Sequence, residues 1–132
     1  MPGWLKRLFG EREEDRTLGE RGENIAARFL GDKGYKIIAR NFRCALGEID
    51  IIARDEETLV FVEVKTRTED DPSPEDQVDQ AKQHQMTKVA KSFMSRYGWP
   101  QPPARFDVVA IVWPEGHEPV IRHTPSAFSA TF

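Results

Sequence analysis

Residues 47–65, GEIDIIARDEETLVFVEVK, constrain the fold more than any other stretch of the chain. Two apolar segments flank a short charged stretch, and β-branched residues dominate both segments, which predicts two antiparallel strands joined by a turn. Because side chains alternate between the two faces of a strand, each segment separates an apolar face from a charged one. The apolar faces, which we expect to be buried, carry Ile49, Ile51, Val60, Val62 and Val64.

The charged faces of this hairpin bring acidic side chains together. A turn at residues 56–57 sets Asp50 opposite Glu63 and Glu48 opposite Lys65, with Cβ atoms roughly 4.5–5.5 Å apart in each pair. A four-residue loop keeps the same register and suits the sequence better, since glutamate is a poor residue for the positive φ of a two-residue hairpin turn. A shift of register by one residue would place carboxylates among the valines, so we expect this register to hold.

The residues alone leave two interpretations of this acidic cluster open. Like charges that face each other across strands are destabilising, so a proton, a cation or a metal must offset them. Mg²⁺ prefers oxygen ligands and is commonly held by one or two carboxylates. Glu23, on the first predicted helix, would complete such a site, and Lys65 could stabilise charge on a phosphate. Alternatively, Glu48 and Lys65 form an ordinary surface ion pair, and Glu23 is an acid that favours the helix dipole.

The segments around the hairpin predict an α/β fold with a mixed sheet flanked by helices. The predicted elements are a helix over 17–34 with a Thr17–Glu20 capping box, a strand over 35–42, a helix over 78–97, and strands over 105–112 and 119–123. Antiparallel strands in the hairpin and a helical crossover after it make the sheet mixed. The segment 66–77, which is rich in acids and proline, is expected to be a loop. We expect a flexible tail over 1–16 and a single domain over 17–132.

Composition excludes several classes of protein. The chain has 132 residues, 39% of them hydrophobic, and its formal net charge of −3 is not that of a protein that simply coats nucleic acid. No apolar run is long enough to cross a membrane. Cys44 is the single cysteine, so an internal disulfide and a cysteine-rich zinc site are ruled out, and we expect a cytoplasmic location. The histidines lack metal-ligand spacing and are expected at the surface, whereas Asp107 lies in an apolar strand and needs backbone or arginine partners.

Taken in order, the motifs of residues 19–128 resemble the YraN-like family, which is related to Holliday junction resolvases and to the PD-(D/E)xK restriction-endonuclease-like superfamily. The matching segments are GERGENIAARFLGDKGYKII, RNFRCALGEIDIIARD, LVFVEVKTR, KQHQMTKVA, RFDVVAI and RHTPSAF. The resemblance implies a restriction-endonuclease-like mixed β-sheet flanked by helices, with the hairpin at its centre. Where the superfamily pattern often has proline before the aspartate, this chain has Ile49.

The resemblance also implies roles for individual residues. The implied catalytic residues are Glu23, Asp50, Glu63 and Lys65, of which the three carboxylates would bind Mg²⁺ or Mn²⁺. Glu48, from the GEID signature, and Gln83, on the second helix, are accessory residues. The basic residues that would contact nucleic acid are Arg40, Arg43, Arg67 and Lys82.

The implied function is a metal-dependent endonuclease that hydrolyses phosphodiester bonds in structured or branched DNA. Holliday junction resolvases act as dimers, so the resemblance leaves a homodimer open. The acidic segment 69–76 would repel DNA if it covered the site. The alternative function is a catalytically weak module that binds nucleic acid or protein on a nuclease scaffold.

Overall fold

The computed structural model of the protein describes residues 17–131, which form two helices, one 3₁₀ turn and a five-stranded sheet. The elements are α1 (Leu18–Asp32), β1 (Lys36–Cys44), β2 (Gly47–Asp55), β3 (Thr58–Arg67), the 3₁₀ turn (Pro74–Gln77), α2 (Gln80–Met94), β4 (Ala104–Val112) and β5 (Val120–Phe128). The strands lie in chain order. The β3–β4 pair is parallel, because α2 carries the chain back across the sheet, and the other pairs are antiparallel. The predicted α/β architecture is confirmed.

The two helices cover opposite faces of the sheet, as in a restriction-endonuclease-like fold. Ala26 and Leu30 of α1 pack against one face, which includes Val60 and Val62 of β3. On the other face, a second apolar cluster joins α2 to the sheet through Met86, Val89, Phe93, Phe61 and Phe106. Because both faces of β2 and β3 are covered, these strands are buried almost throughout, which explains their continuous apolar sequence.

Helix α1 begins with the predicted capping box. The Thr17 hydroxyl accepts a hydrogen bond from the Glu20 backbone N–H at 3.1 Å, and the Glu20 carboxylate accepts one from the Thr17 backbone N–H at 3.4 Å. One turn later, Gly22 lies so close to β3 that a Cβ atom there would be 1.8 Å from the Thr66 Oγ1 atom. Gly22 therefore sets the close approach of α1 to β3, and with it the position of the next helical residue, Glu23.

The central hairpin has the predicted register but a tighter turn than predicted. Asp55 pairs with Thr58, and the ladder continues to the pair of Ile51 with Val62. The turn is made by two residues rather than four, and Glu56 adopts a positive φ of 55°. The expectation of a four-residue loop was therefore wrong, since the fold imposes a backbone conformation that glutamate seldom adopts.

The alternation of side chains breaks in the middle of β2. Ile49 packs in the cluster on the α2 face, whereas Ile51 packs in the cluster on the α1 face, so the prediction that they share a face was wrong. The intervening residue is Asp50. On the neighbouring strand, Asn41 lies between the partners of Ile49 and Ile51 and has a φ of 52°. This local irregularity gives Asp50 a direction that a regular strand would not.

Other boundaries differ from prediction by a few residues. Helix α2 is shorter than the predicted 78–97, because the Asp79 carboxylate caps it by accepting a hydrogen bond from the Lys82 backbone N–H at 2.8 Å. Strand β5 continues to Phe128, beyond the predicted end at residue 123. The predicted tail over 1–16 lies outside the described residues. Neither of the helices over residues 17–131 is both long and apolar enough to span a membrane.

Candidate functional site

Three carboxylates from three different elements meet at one cleft. Glu23 of α1, Asp50 of β2 and Glu63 of β3 line a cavity of about 560 Å³, and Lys65 lies on its wall. These are the four residues for which the resemblance implies catalysis. The structure brings them together, and their catalytic role remains a prediction.

Asp50 occupies the centre of this group. Its side chain is only 8% exposed, and its Oδ2 atom accepts a hydrogen bond from the Val64 backbone N–H at 2.8 Å. The regular β2–β3 ladder stops at Ile51 and Val62, one residue before Asp50 and Glu63 would pair. The Asp50 carboxylate lies within hydrogen-bonding reach of both Glu23 and Glu63. Asp50 therefore lies close to Glu63, as expected. Its side chain, rather than a backbone group, makes the hydrogen bond to β3 just beyond the last regular pair.

The proximity of these acids changes their protonation. Burial, and then the neighbouring Asp50, raises the pKa of Glu23 to about 7. Burial and the hydrogen bond with Asp50 raise the pKa of Glu63 to about 8, although Lys82 opposes this rise. A carboxyl group with a pKa near 7 is about half protonated at neutral pH, and one with a pKa near 8 is mostly protonated, unless a cation replaces the proton. A cation that binds in the cleft would therefore replace protons on these carboxyl groups.

Glu63 is the most deeply placed of the three carboxylates. It is 4% exposed, and its buried Oε2 atom receives no hydrogen bond of regular geometry from the described residues. The Lys82 ammonium of α2 lies 3.0 Å from that same oxygen and forms an ion pair with it. Lys65, two residues along β3, makes no ion pair with any residue in the described range. Glu63 is thus paired with a lysine that the ExK tripeptide does not contain.

Asn41 joins the site from the edge strand β1. With its amide nitrogen turned toward α1, Asn41 donates to the two Glu23 carboxylate oxygens at 3.2 and 3.3 Å. Arg40 donates to the Asn24 side chain on α1 at 2.7 Å and opposes the rise of the Glu23 pKa. Sequence reasoning missed the role of Asn41, because it depends on the positive φ at that residue. An asparagine within a strand, where this residue type is uncommon, was the available signal.

The remaining predicted residues have other partners. Glu48 pairs with Arg43 of β1 at 2.8 Å, so the expected Glu48–Lys65 pair is not formed. Gln83 donates its side-chain amide to the Val78 carbonyl oxygen at 3.0 Å, at the start of α2, and to none of the carboxylates. Arg67 lines the cleft, and its guanidinium donates to Gln77 at 2.8 Å.

The acidic segment after β3 is tied to the sheet by an arginine. Arg122 of β5 donates to both carboxylate oxygens of Asp70, at 2.6 and 2.8 Å, and to both of Glu75, at 2.7 and 2.8 Å. These contacts lower the pKa of both carboxyl groups and raise that of Arg122. Part of the negative charge of segment 69–76 is therefore neutralised within the protein.

The donor atoms of the cleft suit a hard divalent cation. Within residues 17–131, no set of three or more His, Cys, Asp or Glu side chains is grouped tightly enough to grip a metal ion. The chemistry of the cleft nevertheless fits one, because all the donors are carboxylate oxygens and Glu63 Oε2 is buried without a regular hydrogen bond from the described residues. Burial first, and then Asp50, raises the pKa of Glu23 and of Glu63, and a cation would relieve the part of this rise that comes from Asp50.

The family of the chain follows from comparison with known sequences. Residues 22–111 match the model of the uncharacterised protein family UPF0102. The chain belongs to UPF0102. The predicted resemblance to the YraN-like family is thereby confirmed.

The relatives cover nearly the whole chain. It is 45% identical to a UPF0102 protein of Geotalea uraniireducens, over 92% of this chain and 97% of the relative. It is 46% identical to a UPF0102 protein of Geotalea daltonii, over 95% and 100% of the two chains. A UPF0102 protein of Symbiobacterium thermophilum is 50% identical, over 73% of this chain and 82% of the relative. These relatives all carry the family name UPF0102.

Proposed function

We propose that this UPF0102 protein is a metal-dependent endonuclease that hydrolyses phosphodiester bonds in structured or branched DNA. The observation that carries the proposal is the convergence of Glu23, Asp50 and Glu63 on one cleft, with the pKa of both glutamates raised to about 7 and about 8. Carboxylates held in this way bind divalent cations in exchange for protons.

The three carboxylates would hold Mg²⁺ or Mn²⁺. When bound, the ion would supply a Lewis acid for a phosphate oxygen and would acidify a water molecule that attacks phosphorus. Asp50, fixed by the Val64 backbone N–H, provides the rigid central ligand. Glu23 and Glu63 approach from either side, one on a helix and one on a strand, so the site closes only when α1 is packed on β3.

Lys65 would act on the phosphate. It lies on the wall of the same cleft and is partly exposed, and no carboxylate among residues 17–131 forms an ion pair with it. An ammonium group in that position can donate to a phosphate oxygen as negative charge develops there. Removing Lys65 should therefore slow cleavage without removing the metal ligands.

The surface around the cleft supplies cations for a DNA backbone. Arg67 lines the cleft, Arg40 lines a neighbouring pocket that also includes Glu23, and Arg43 is largely exposed although paired with Glu48. Each of these three side chains keeps donors that a phosphate could use, since a guanidinium has five.

We also propose that the protein acts in the cytoplasm, and that a homodimer, as in the resolvases, would present two such clefts to a branched junction.

The test is a cleavage assay on the full chain. The purified protein is incubated with Mg²⁺ or Mn²⁺ and with branched, single-stranded and duplex DNA, beside the variants Asp50→Asn and Lys65→Ala. We expect cleavage by the wild type, slower cleavage by Lys65→Ala, and loss of both cleavage and Mn²⁺ binding in Asp50→Asn. A folded wild-type protein that leaves all three DNA substrates intact with either metal contradicts the proposal.

A second candidate is a binding module on a nuclease scaffold. It is favoured by the net charge of −3 and by the spacing of the carboxylates in residues 17–131, which are not grouped tightly enough to grip a metal ion. The same variants separate the two functions. In a binding module, Asp50→Asn would leave the affinity for DNA or a protein partner unchanged, and wild type and variant would be equally inactive in cleavage.

A further inference from the structure

The ion pair between Lys82 and Glu63 has a geometry that bears on how the site binds a cation. Lys82 lies in the first turn of α2, and its Nζ atom is 3.0 Å from Glu63 Oε2, the buried oxygen that lacks a regular hydrogen bond from the described residues. A metal ion that used Glu63 as a ligand would need electron pairs on the carboxylate that the ammonium group now engages. The Lys82 ammonium and a bound metal ion would therefore compete for the Glu63 carboxylate.

The two partners of this ion pair differ in their freedom to move. The Glu63 side chain is 5% exposed and is fixed within the central strand, whereas the Lys82 side chain is 29% exposed. Lysine carries its charge on a flexible four-carbon stem, so the ammonium group can turn into solvent while its backbone stays in place. The buried Glu63 carboxylate cannot turn into solvent in the same way. Any exchange at this site therefore moves the lysine and leaves the carboxylate.

Charge supplies the reason for the exchange. The Lys82 ammonium is charged at neutral pH, as lysine side chains ordinarily are, and at 3.0 Å from Glu63 Oε2 it offsets negative charge in the cleft. A divalent cation in the same cleft would supply that compensation itself and would repel the ammonium group.

We propose that Lys82 is a resident counter-ion of the carboxylate cleft, which holds Glu63 in the metal-free protein and is displaced when a divalent cation binds. The inference rests on the proposed function, because it takes Glu63 to be a metal ligand. It replaces the sequence-based assignment of Lys82 as a nucleic-acid contact. Its consequence is that Lys82 weakens metal binding while it offsets negative charge in the metal-free cleft.

The test is a calorimetric titration of the full chain with Mn²⁺, comparing the wild type with Lys82→Met. Methionine keeps an unbranched apolar stem and removes the charge. A neighbouring charge commonly shifts an ionisation equilibrium by about one to three pKa units, so we expect Mn²⁺ to bind about tenfold more tightly to Lys82→Met. Lys88→Met is the matched control, since Lys88 lies exposed on the same helix. Lys82→Arg, which keeps the charge, should bind Mn²⁺ as the wild type does.

Each outcome decides the inference. Tighter binding in Lys82→Met, with Lys88→Met and Lys82→Arg unchanged, supports it. Equal or weaker binding in Lys82→Met, beside a wild type that binds Mn²⁺, overturns it and leaves the proposed function standing. Failure of both the folded wild type and folded Lys82→Met to bind Mn²⁺ overturns the inference together with the metal site of the proposed function.

Discussion

The Asp50 Oδ2 atom of β2 accepts a hydrogen bond from the Val64 backbone N–H of β3 at 2.8 Å. A side chain here takes a position that a strand carbonyl would occupy in a regular ladder, which stops one pair earlier. The exchange aims the Asp50 carboxylate between Glu23 and Glu63 and fixes it from the backbone of the opposite strand. The site therefore depends on the interruption of regular β2–β3 pairing in the central hairpin.

The first prediction concerns the stability of the metal-free protein at high pH. Burial and Asp50 raise the pKa of Glu63 from 4.5 to about 8, so the folded state holds a proton that the unfolded state has lost. This contribution to stability is complete below the unfolded pKa and is lost as pH rises through about 8. Glu63→Gln, which mimics the protonated acid, should exceed the wild type in free energy of unfolding by on the order of 2 kcal/mol at pH 9 and by far less at pH 4.

Urea unfolding in EDTA at both pH values measures this difference. Glu57→Gln, in the turn of the hairpin, is the control and should follow the wild type at each pH. If Glu63→Gln and the wild type lose stability in parallel as pH rises, Glu63 does not hold the proton.

A second prediction places the opposite pH dependence at Asp107. This residue is completely buried, and its carboxylate accepts hydrogen bonds from His123 at 2.8 Å, Arg105 at 3.0 Å and the Ser126 backbone N–H at 3.0 Å. Burial would raise the pKa of Asp107, but these donors hold it below its ordinary value. Its contribution to stability is present above the unfolded carboxyl pKa and is lost as pH falls through the lower folded value.

Asp107→Asn should reduce the free energy of unfolding at neutral pH by about 3 kcal/mol, because it removes the buried counter-charge of Arg105 and replaces one of two acceptor oxygens with a donor. It should also flatten the loss of stability in acid. Thermal unfolding between pH 2 and pH 7 measures both effects, with Asp32→Asn at the exposed end of α1 as the control. Equal acid slopes in Asp107→Asn and the wild type would contradict the lowered pKa.

A third prediction concerns the contact of α1 with β3. Gly22→Ala would place a Cβ atom 1.8 Å from Thr66 Oγ1, whereas nothing lies within 4 Å of a Cβ atom at Gly19. Gly22→Ala should cost about 1–3 kcal/mol through overpacking. Gly19→Ala, on the same helix, should gain up to about 1 kcal/mol from helix propensity.

Urea unfolding of the two variants gives the comparison directly. Since Gly22 precedes Glu23, its replacement should also weaken Mn²⁺ binding, and Gly19→Ala should not. Two variants of equal stability would show that α1 does not depend on the close approach at Gly22.

A fourth prediction concerns the acidic segment 69–76. Arg122→Ala removes the donor that holds Asp70 and Glu75, so the segment should detach from β5 and become sensitive to limited proteolysis. Arg54→Ala, an exposed arginine of β2, is the control for the loss of one positive charge. A cleavage rate in segment 69–76 that is equal in the two variants would show that Arg122 does not retain it.

The strongest local patterns predicted most of the fold. The Thr17–Glu20 capping box, the hairpin register and the parallel β3–β4 pair after a helical crossover each follow from residues close together in sequence or from chain connectivity. The proximity of Asp50 to Glu63 followed from that register. These features are governed by local propensity and by the alternation of strand side chains, which a single sequence displays directly.

The features that were missed arise between distant elements. The histidines were expected at the surface, yet the His123 side chain is 2% exposed and bonds to Asp107 from the adjacent strand. The contact of Lys82 with Glu63 depends on where α2 lies across the sheet, and the Asp50–Val64 hydrogen bond depends on where the regular pairing of β2 and β3 stops. Periodicity carries no information on such contacts, because they are fixed by tertiary packing.

The central claim is that Glu23, Asp50 and Glu63 together hold a divalent cation. The most direct measurement is anomalous diffraction from crystals of the full chain soaked in Mn²⁺, beside crystals of Asp50→Asn treated in the same way. We predict an anomalous peak within coordination distance of all three carboxylates in the wild type and no peak in the variant. Wild-type crystals in which the cleft stays free of anomalous density at saturating Mn²⁺ would contradict the claim.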